Sequence, residues 1–318
     1  MVLRKTGFVV RMAVLLGAVL PRMVAAAPPE ASPNSSTPDN VKKTEEKPLN
    51  PTIIPLYLSE NRMLVMLRIG DYPPVPVVFD TGTNGNLLDL ELADRLKLPN
   101  TGPSPSIDGS TGKPVPGHDT FITKASLGGF AIADARATAF AYNLPDEVGI
   151  FGPNSFPGKL VRVDGPRSRL VLLEKRTDTV PGSVSFPYLG ENGDALPSAV
   201  VECGDLKITA ILDSGNNSSL ILPMEYVSKL SLDAPPKQIG YAVSAAGKQP
   251  IYSAHLKGSL KIGEARLEQP EVRFMEGGRP NVGLPLLRQL IVVLDPDQKR
   301  TWVLPAGAPL RQGATQGK

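Results

Sequence analysis

The stretch Val77-Val-Phe-Asp80-Thr-Gly-Thr-Asn-Gly-Asn-Leu-Leu88 is answered 133 residues later by Ala210-Ile-Leu-Asp213-Ser-Gly-Asn-Asn-Ser-Ser-Leu-Ile221. Each begins as an apolar, β-branched run, breaks at Asp-[Thr/Ser]-Gly and resumes with two apolar residues, a pattern that reads as strand, tight loop, strand. A single Asp-[Ser/Thr]-Gly carries little information, because turns collect these residues. Two of them at matching places in a longer repeat mark a duplicated structural unit.

Outward from each Asp the repeat continues. Gly70 and Gly204 end strand-like runs ten and nine residues before it. A short amphipathic helix is expected after each motif, over Leu90–Leu96 and over Met224–Leu230, the second opened by Pro223. A Gly-Lys turn comes 32 residues on in the first copy (Gly112-Lys113) and 34 in the second (Gly247-Lys248). Ile150-Phe151-Gly152 and Asn281-Val282-Gly283 place their Gly 72 and 70 residues after the two Asp. From each of those Gly it is twelve residues to a further Asp (Asp164, Asp295) and nine more to a Leu (Leu173, Leu304). Landmarks kept in register over this distance predict two homologous lobes, 50–178 and 179–304, each large enough for a core of its own. With 33 Pro and 30 Gly punctuating short β-branched runs, the fold class is mainly β with few short helices.

The flanks differ in texture. Arg4 and Lys5 precede the apolar run Met12–Leu20, and Ala25-Ala26-Ala27 offers a cleavage site, so 1–27 is expected to be an export signal. The destination would be periplasmic or extracellular, or the membrane if the segment stays uncleaved. Residues 28–49, rich in Pro, Ser, Lys and Glu, read as a disordered linker or leader, and 305–318 as a flexible tail. The net charge of +3 belongs to the signal: residues 1–27 hold four cations and no acid, and 50–318 balances 27 basic against 27 acidic groups. That balance argues against a nucleic-acid partner.

Other chemistries find few residues. Cys203 is the one cysteine, which excludes an internal disulfide, and its apolar setting suits a small buried hydrophobe. His118 and His255 are the only imidazoles, with no ligand-spaced partners, so no metal site is expected and serine or cysteine hydrolysis lacks a general base. No Gly-Lys-[Ser/Thr] phosphate loop occurs. Asp164 and Asp295 precede Gly-Pro and Pro-Asp and read as turn formers.

What remains is the pair of repeated carboxylates. A two-fold arrangement of the copies would bring Asp80 and Asp213 face to face. Two carboxylates a few ångström apart share one proton, leaving one as base and the other as acid. A water between them can then be deprotonated and attack an amide carbonyl. From sequence the proton belongs to the pair, and neither Asp can be assigned its role.

Here the chain resembles a known family, the aspartic peptidases, in their bilobed pepsin-like or fused retropepsin-like form of bacterial type. The resemblance covers nearly all of 50–304 and rests on Asp80-Thr81-Gly82, Asp213-Ser214-Gly215 and a hydrophobic-hydrophobic-Gly element in each lobe. It implies two β-barrel-like lobes of the acid-protease type, with Asp80 and Asp213 as catalytic dyad. Thr81 and Ser214 would cross-link the active-site loops, and Gly82, Thr83, Gly215 and Asn216 would support them. Segments ending at Gly152 and Gly283 would thread beneath the loops, and Gly112 and Lys113 would form the turn of a flap over substrate. The implied activity is hydrolysis of a peptide or protein substrate by an exported endopeptidase needing no cofactor, metal or second subunit. Three positions depart from the pattern: Asn216 replaces a hydroxyl residue, Asn281 replaces an apolar one, and no Tyr occurs in 104–120 to serve the flap. They leave an alternative, a catalytically weak or inactive protein of the same fold that binds an extended peptide or an envelope partner.

Overall fold

The computed structural model describes residues 51–59, 61–104, 106–108, 114–132, 135–142, 146–175, 181–190, 195–244 and 247–309, with two short strands at Val9–Val10 and Leu15–Leu16. The rest of the expected signal, the 28–49 linker, the flap turn Gly112-Lys113 and the tail from 310 lie outside the described residues.

Alternation decides the outer strands. Met63–Ile69 buries Met63, Val65, Leu67 and Ile69 on the main core, while Leu64 and Met66 between them are half-buried and Arg68 is exposed, the period-2 pattern of a strand with one face on the core. Val75–Phe79 and Leu206–Asp213 end differently, with runs buried on every residue: Val77, Val78, Phe79 and Asp80 in one, Ala210 to Asp213 in the other. Such runs need cover on both faces. Between Met63–Ile69 and Val75–Phe79 the chain turns at Gly70, and between Ser198–Cys203 and Leu206–Asp213 at Gly204. Their φ angles of 51° and 59° are left-handed, which costs glycine least.

The two lobes repeat one another strand for strand. In the first, hydrogen-bonded neighbours run Ala125–Leu127, Met63–Ile69, Val75–Phe79, Gly149–Phe151, Leu87–Asp89, Ala135–Phe140, Gly117–Ile122. In the second the order is Ser259–Ile262, Ser198–Cys203, Leu206–Asp213, Asn281–Gly283, Leu220–Pro223, Glu271–Met275, Gly247–His255. The threading strand of each lobe lies parallel to its Asp strand (Ile150 opposite Val78, Leu212 opposite Val282) and antiparallel to the strand after the loop. The mainly β, two-lobed, acid-protease-type fold expected from the sequence is the fold observed.

The lobes join through a six-stranded sheet. The hairpin Lys159–Asp164/Arg169–Glu174 meets its counterpart Ile291–Asp295/Arg300–Leu304 along an antiparallel seam in which Val163 faces Val292 and Val161 faces Leu294. These hairpins carry the Asp-to-Leu landmarks of the repeat. Asp295 accepts from the backbone N–H of Asp297 (3.1 Å) and Gln298 (2.9 Å), the geometry of a turn former. Asp164 accepts instead from Arg167 and Arg169. Thr52–Pro55 edges the sheet beside Arg169–Glu174, and Phe186–Pro187 edges it beside Arg300–Leu304.

One expected helix differs. Leu90–Arg95 is α-helical, capped by Asp89, whose carboxylate accepts from Leu92 N–H. Met224–Lys229 is a 3-10 helix with no fully buried residue, its Met224, Tyr226 and Val227 half-buried against the core. Among the described residues no helix is long and apolar enough to cross a membrane.

Candidate active site

Both motif loops meet where the lobes touch. Asp80 follows the strand Val75–Phe79, and its N–H donates to Phe151 O at 3.0 Å on the threading strand. Asp213 ends Leu206–Asp213 opposite Gly283. Each strand is therefore held by the segment that passes under its loop, and the two Asp are delivered to one point from opposite sides.

Beneath them lies a reciprocal cross-link. Thr81 Oγ1 donates to Leu212 O (2.7 Å) and accepts from Ser214 N–H (3.0 Å), while Ser214 Oγ donates to Phe79 O (2.8 Å) and accepts from Thr81 N–H (2.9 Å). All four bonds are buried. Only a hydroxyl can donate and accept in this way, which is the physical reason for Thr or Ser at these two places.

The glycines set how close the loops come. A Cβ on Gly82 would lie 2.5 Å from Asp213 Cγ, and one on Gly215 would lie 2.5 Å from Asp80 Oδ2. Each carboxylate therefore packs on the other lobe's motif glycine. Gly215 N–H is shared between them, donating to Asp213 Oδ1 at 3.0 Å and to Asp80 Oδ1 at 3.1 Å. Asp80 Oδ1 also accepts from Gly82 N–H (2.7 Å), and Asp213 Oδ1 from Asn216 N–H (3.1 Å).

Neither carboxyl exposes any surface. Burial drives the Asp80 carboxyl well above the ordinary carboxylate range, the charge of Asp213 adds to this, and the donated N–H of Gly82 and Gly215 offset only part. Burial also raises Asp213, but the side-chain donor Asn281 and the Gly215 and Asn216 amides pull it back. Two raised carboxyls in contact fit a site holding one proton between them.

The remaining expected residues fall as follows. Thr83 faces its own loop, its hydroxyl donating to Gly85 O at 3.0 Å and accepting from Gly85 N–H at 3.3 Å. Asn216 turns its side chain to Asn281, with Nδ2 donating to Oδ1 at 2.8 Å. The two departures of the second lobe from the family pattern are thus partners: the buried polar group at 281, where an apolar residue was expected, is satisfied by the amide at 216 and by Asp213. The signal was visible as two irregular Asn in one lobe, but their contact spans 65 residues and needed the fold. Asn86 was missed altogether. Its Oδ1 accepts from Gly152 N–H (3.3 Å) and Ser155 Oγ (2.8 Å), tying the first loop to the segment beneath it.

Elsewhere, burial pushes the Cys203 thiol up to about 11, as befits an unreactive cysteine. His255 is exposed beside Asp233, and among the described residues no His, Cys, Asp and Glu group is arranged to hold a metal ion.

A family model described as aspartyl protease matches residues 65–154 and 199–286, more than half of the chain and one segment in each lobe. No curated protein matches the sequence.

Proposed function

The chain belongs to the aspartyl protease family, and from that premise we propose that it is an exported endopeptidase acting through Asp80 and Asp213. The observation that carries the reading is the packed, buried carboxyl pair sharing the Gly215 N–H. In the proposed reaction the ionised Asp takes a proton from a water, and the water oxygen attacks the scissile carbonyl carbon. The protonated Asp supports the developing oxyanion, and collapse breaks the C–N bond as a proton passes to the leaving nitrogen. One water is consumed, with no covalent intermediate and no cofactor.

The substrate is a peptide bound extended between the lobes. Since one chain supplies both carboxylates, the enzyme works as a monomer. Export follows from the basic start, the apolar run and the Ala cluster of residues 1–27, and a membrane-held form from failure to cleave it. The absence of Tyr in 104–120 favours a second reading, a weak or inactive peptide binder.

Incubating the full chain with an unbiased peptide mixture from about pH 3 to pH 8 separates the two readings. The enzyme reading expects cleavage with a bell-shaped profile on the acidic side of neutral. Each of Asp80→Asn and Asp213→Asn should then lose about 10³-fold or more. Cleavage equal in wild type and both variants, or none on any peptide, sinks it.

A further inference from the structure

The second lobe contains a chain of hydrogen bonds whose direction is fixed at one end. The N–H of Ser218 can only donate, and at 2.8 Å it meets Asn216 Oδ1. This orients the Asn216 amide, so its Nδ2 faces Asn281 and the atom receiving it at 2.8 Å must be Asn281 Oδ1. Asn281 therefore presents Nδ2 to Asp213 Oδ2, again at 2.8 Å. Flipping either amide would set donor against donor, so the polarity runs unbroken from a backbone N–H to the carboxylate.

The outcome at the dyad is asymmetric. Asp213 Oδ1 accepts from Gly215 and Asn216, and Asp213 Oδ2 from Asn281. Asp80 Oδ1 accepts from Gly82 and Gly215. Asp80 Oδ2, buried, has no donor among the described residues. Three of the four carboxyl oxygens are occupied as acceptors, and one is left on which a proton meets no opposing N–H. The first lobe has no equivalent relay: Ile150 stands where Asn281 stands, and Thr83 bonds Gly85.

We propose that Ser218 N–H, Asn216 and Asn281 form a positioning relay that holds Asp213 as the ionised member of the dyad and leaves the shared proton on Asp80 Oδ2. This rests on Asp80 and Asp213 being a catalytic dyad, and it assigns Asp213 as the base that activates water and Asp80 as the acid. The other charged groups packed around Asp213 engage elsewhere. Across the loop, Arg273 donates to Ser218 Oγ and Glu271 accepts from the Ser219 and Ser253 hydroxyls. On the far side, burial and the Glu147 charge push the Tyr142 hydroxyl up, and Glu147 is itself paired with Arg62.

Carboxyl ¹³C NMR of Asp-labelled full-length protein, with signals assigned by their loss in Asp80→Asn and Asp213→Asn, tests this without needing activity. Asp213 should titrate at lower pH than Asp80, and the reverse order overturns the proposal. In Asn281→Leu the Asp213 transition should move up by about one pH unit, tenfold in its proton equilibrium, and the acidic limb of any cleavage profile should move with it. A uniform loss of rate with both transitions unmoved means a merely structural asparagine and overturns the relay. If Asn281→Leu does not fold, the wild-type titration order still decides. A wild type that cleaves nothing yet titrates in the expected order refutes the peptidase reading and keeps the relay.

Discussion

In the first lobe the loop after Asp80 is closed by Thr83 bonding Gly85, and Asn86 clamps the segment below. In the second the loop after Asp213 is closed by Asn216 bonding Asn281. The backbone is the same in both: same strand order, same parallel threading strand, same crossed hydroxyls. The difference is polar. One loop is tied to itself and leaves Asp80 Oδ2 without a donor among the described residues, and the other is tied through Asn281 to the Asp213 carboxylate. A duplicated unit thus keeps its hydrophobic pattern, which both copies need to fold, while the hydrogen bonds of its loops differ between the copies.

The comparison can be broken by substitution. The largest effect concerns the glycines over the threading strands. A Cβ on Gly283 would sit 1.9 Å from Ser218 O, a backbone atom that cannot step aside, whereas on Gly152 the nearest atom is a Thr83 methyl at 2.8 Å. Gly283→Ala should cost about 3 kcal/mol or more in urea unfolding and Gly152→Ala about 1–2 kcal/mol. Equal costs would mean the second lobe is no more tightly threaded than the first.

Next come the shared hydroxyls. Thr81→Val and Ser214→Ala each strand a buried N–H and a buried carbonyl, so each should lose about 1–3 kcal/mol. The double variant should lose less than the sum, since both belong to one network. Strict additivity would show two independent loops.

The smallest effect is electrostatic, and its sign is opposite. Asp80 titrates higher in the folded chain than the value of about 3.9 expected when unfolded. Above that value the folded state binds more protons, so stability falls as pH rises through the window between the two; below it both states are protonated and the cost vanishes. Asp80→Asn removes this cost and should raise Tm at pH 7 by a few degrees, with no gain near pH 3. Asp213→Asn should gain less, because the Asn281 amide then meets a neutral partner. Thermal melts at the two pH values check this, and equal gains would deny the asymmetry between lobes.

Much of this was legible in the chain. Period-2 burial in Met63–Ile69, the turns at Gly70 and Gly204 and the repeated Asp-[Thr/Ser]-Gly depend on local pattern, and local pattern is written in order along the sequence. Met224–Lys229 is the expected short helix with Met224, Tyr226 and Val227 half-buried against the core, but a hydrophobic pattern this short does not distinguish 3-10 from α winding. The partners of Asn86 and Asn281 could not be read for a different reason: a side-chain amide is meaningful only through its partners, and those lie 66 and 68 residues away.

By itself, then, the sequence determined that two β lobes would form and that Asp80 and Asp213 would be their equivalent residues, because duplication and hydrophobic period are properties of one dimension. That the two carboxyls are not equivalent was decided only by the tertiary structure. The direction of a hydrogen bond passes from Ser218 to Asp213 through side chains that only folding brings into line.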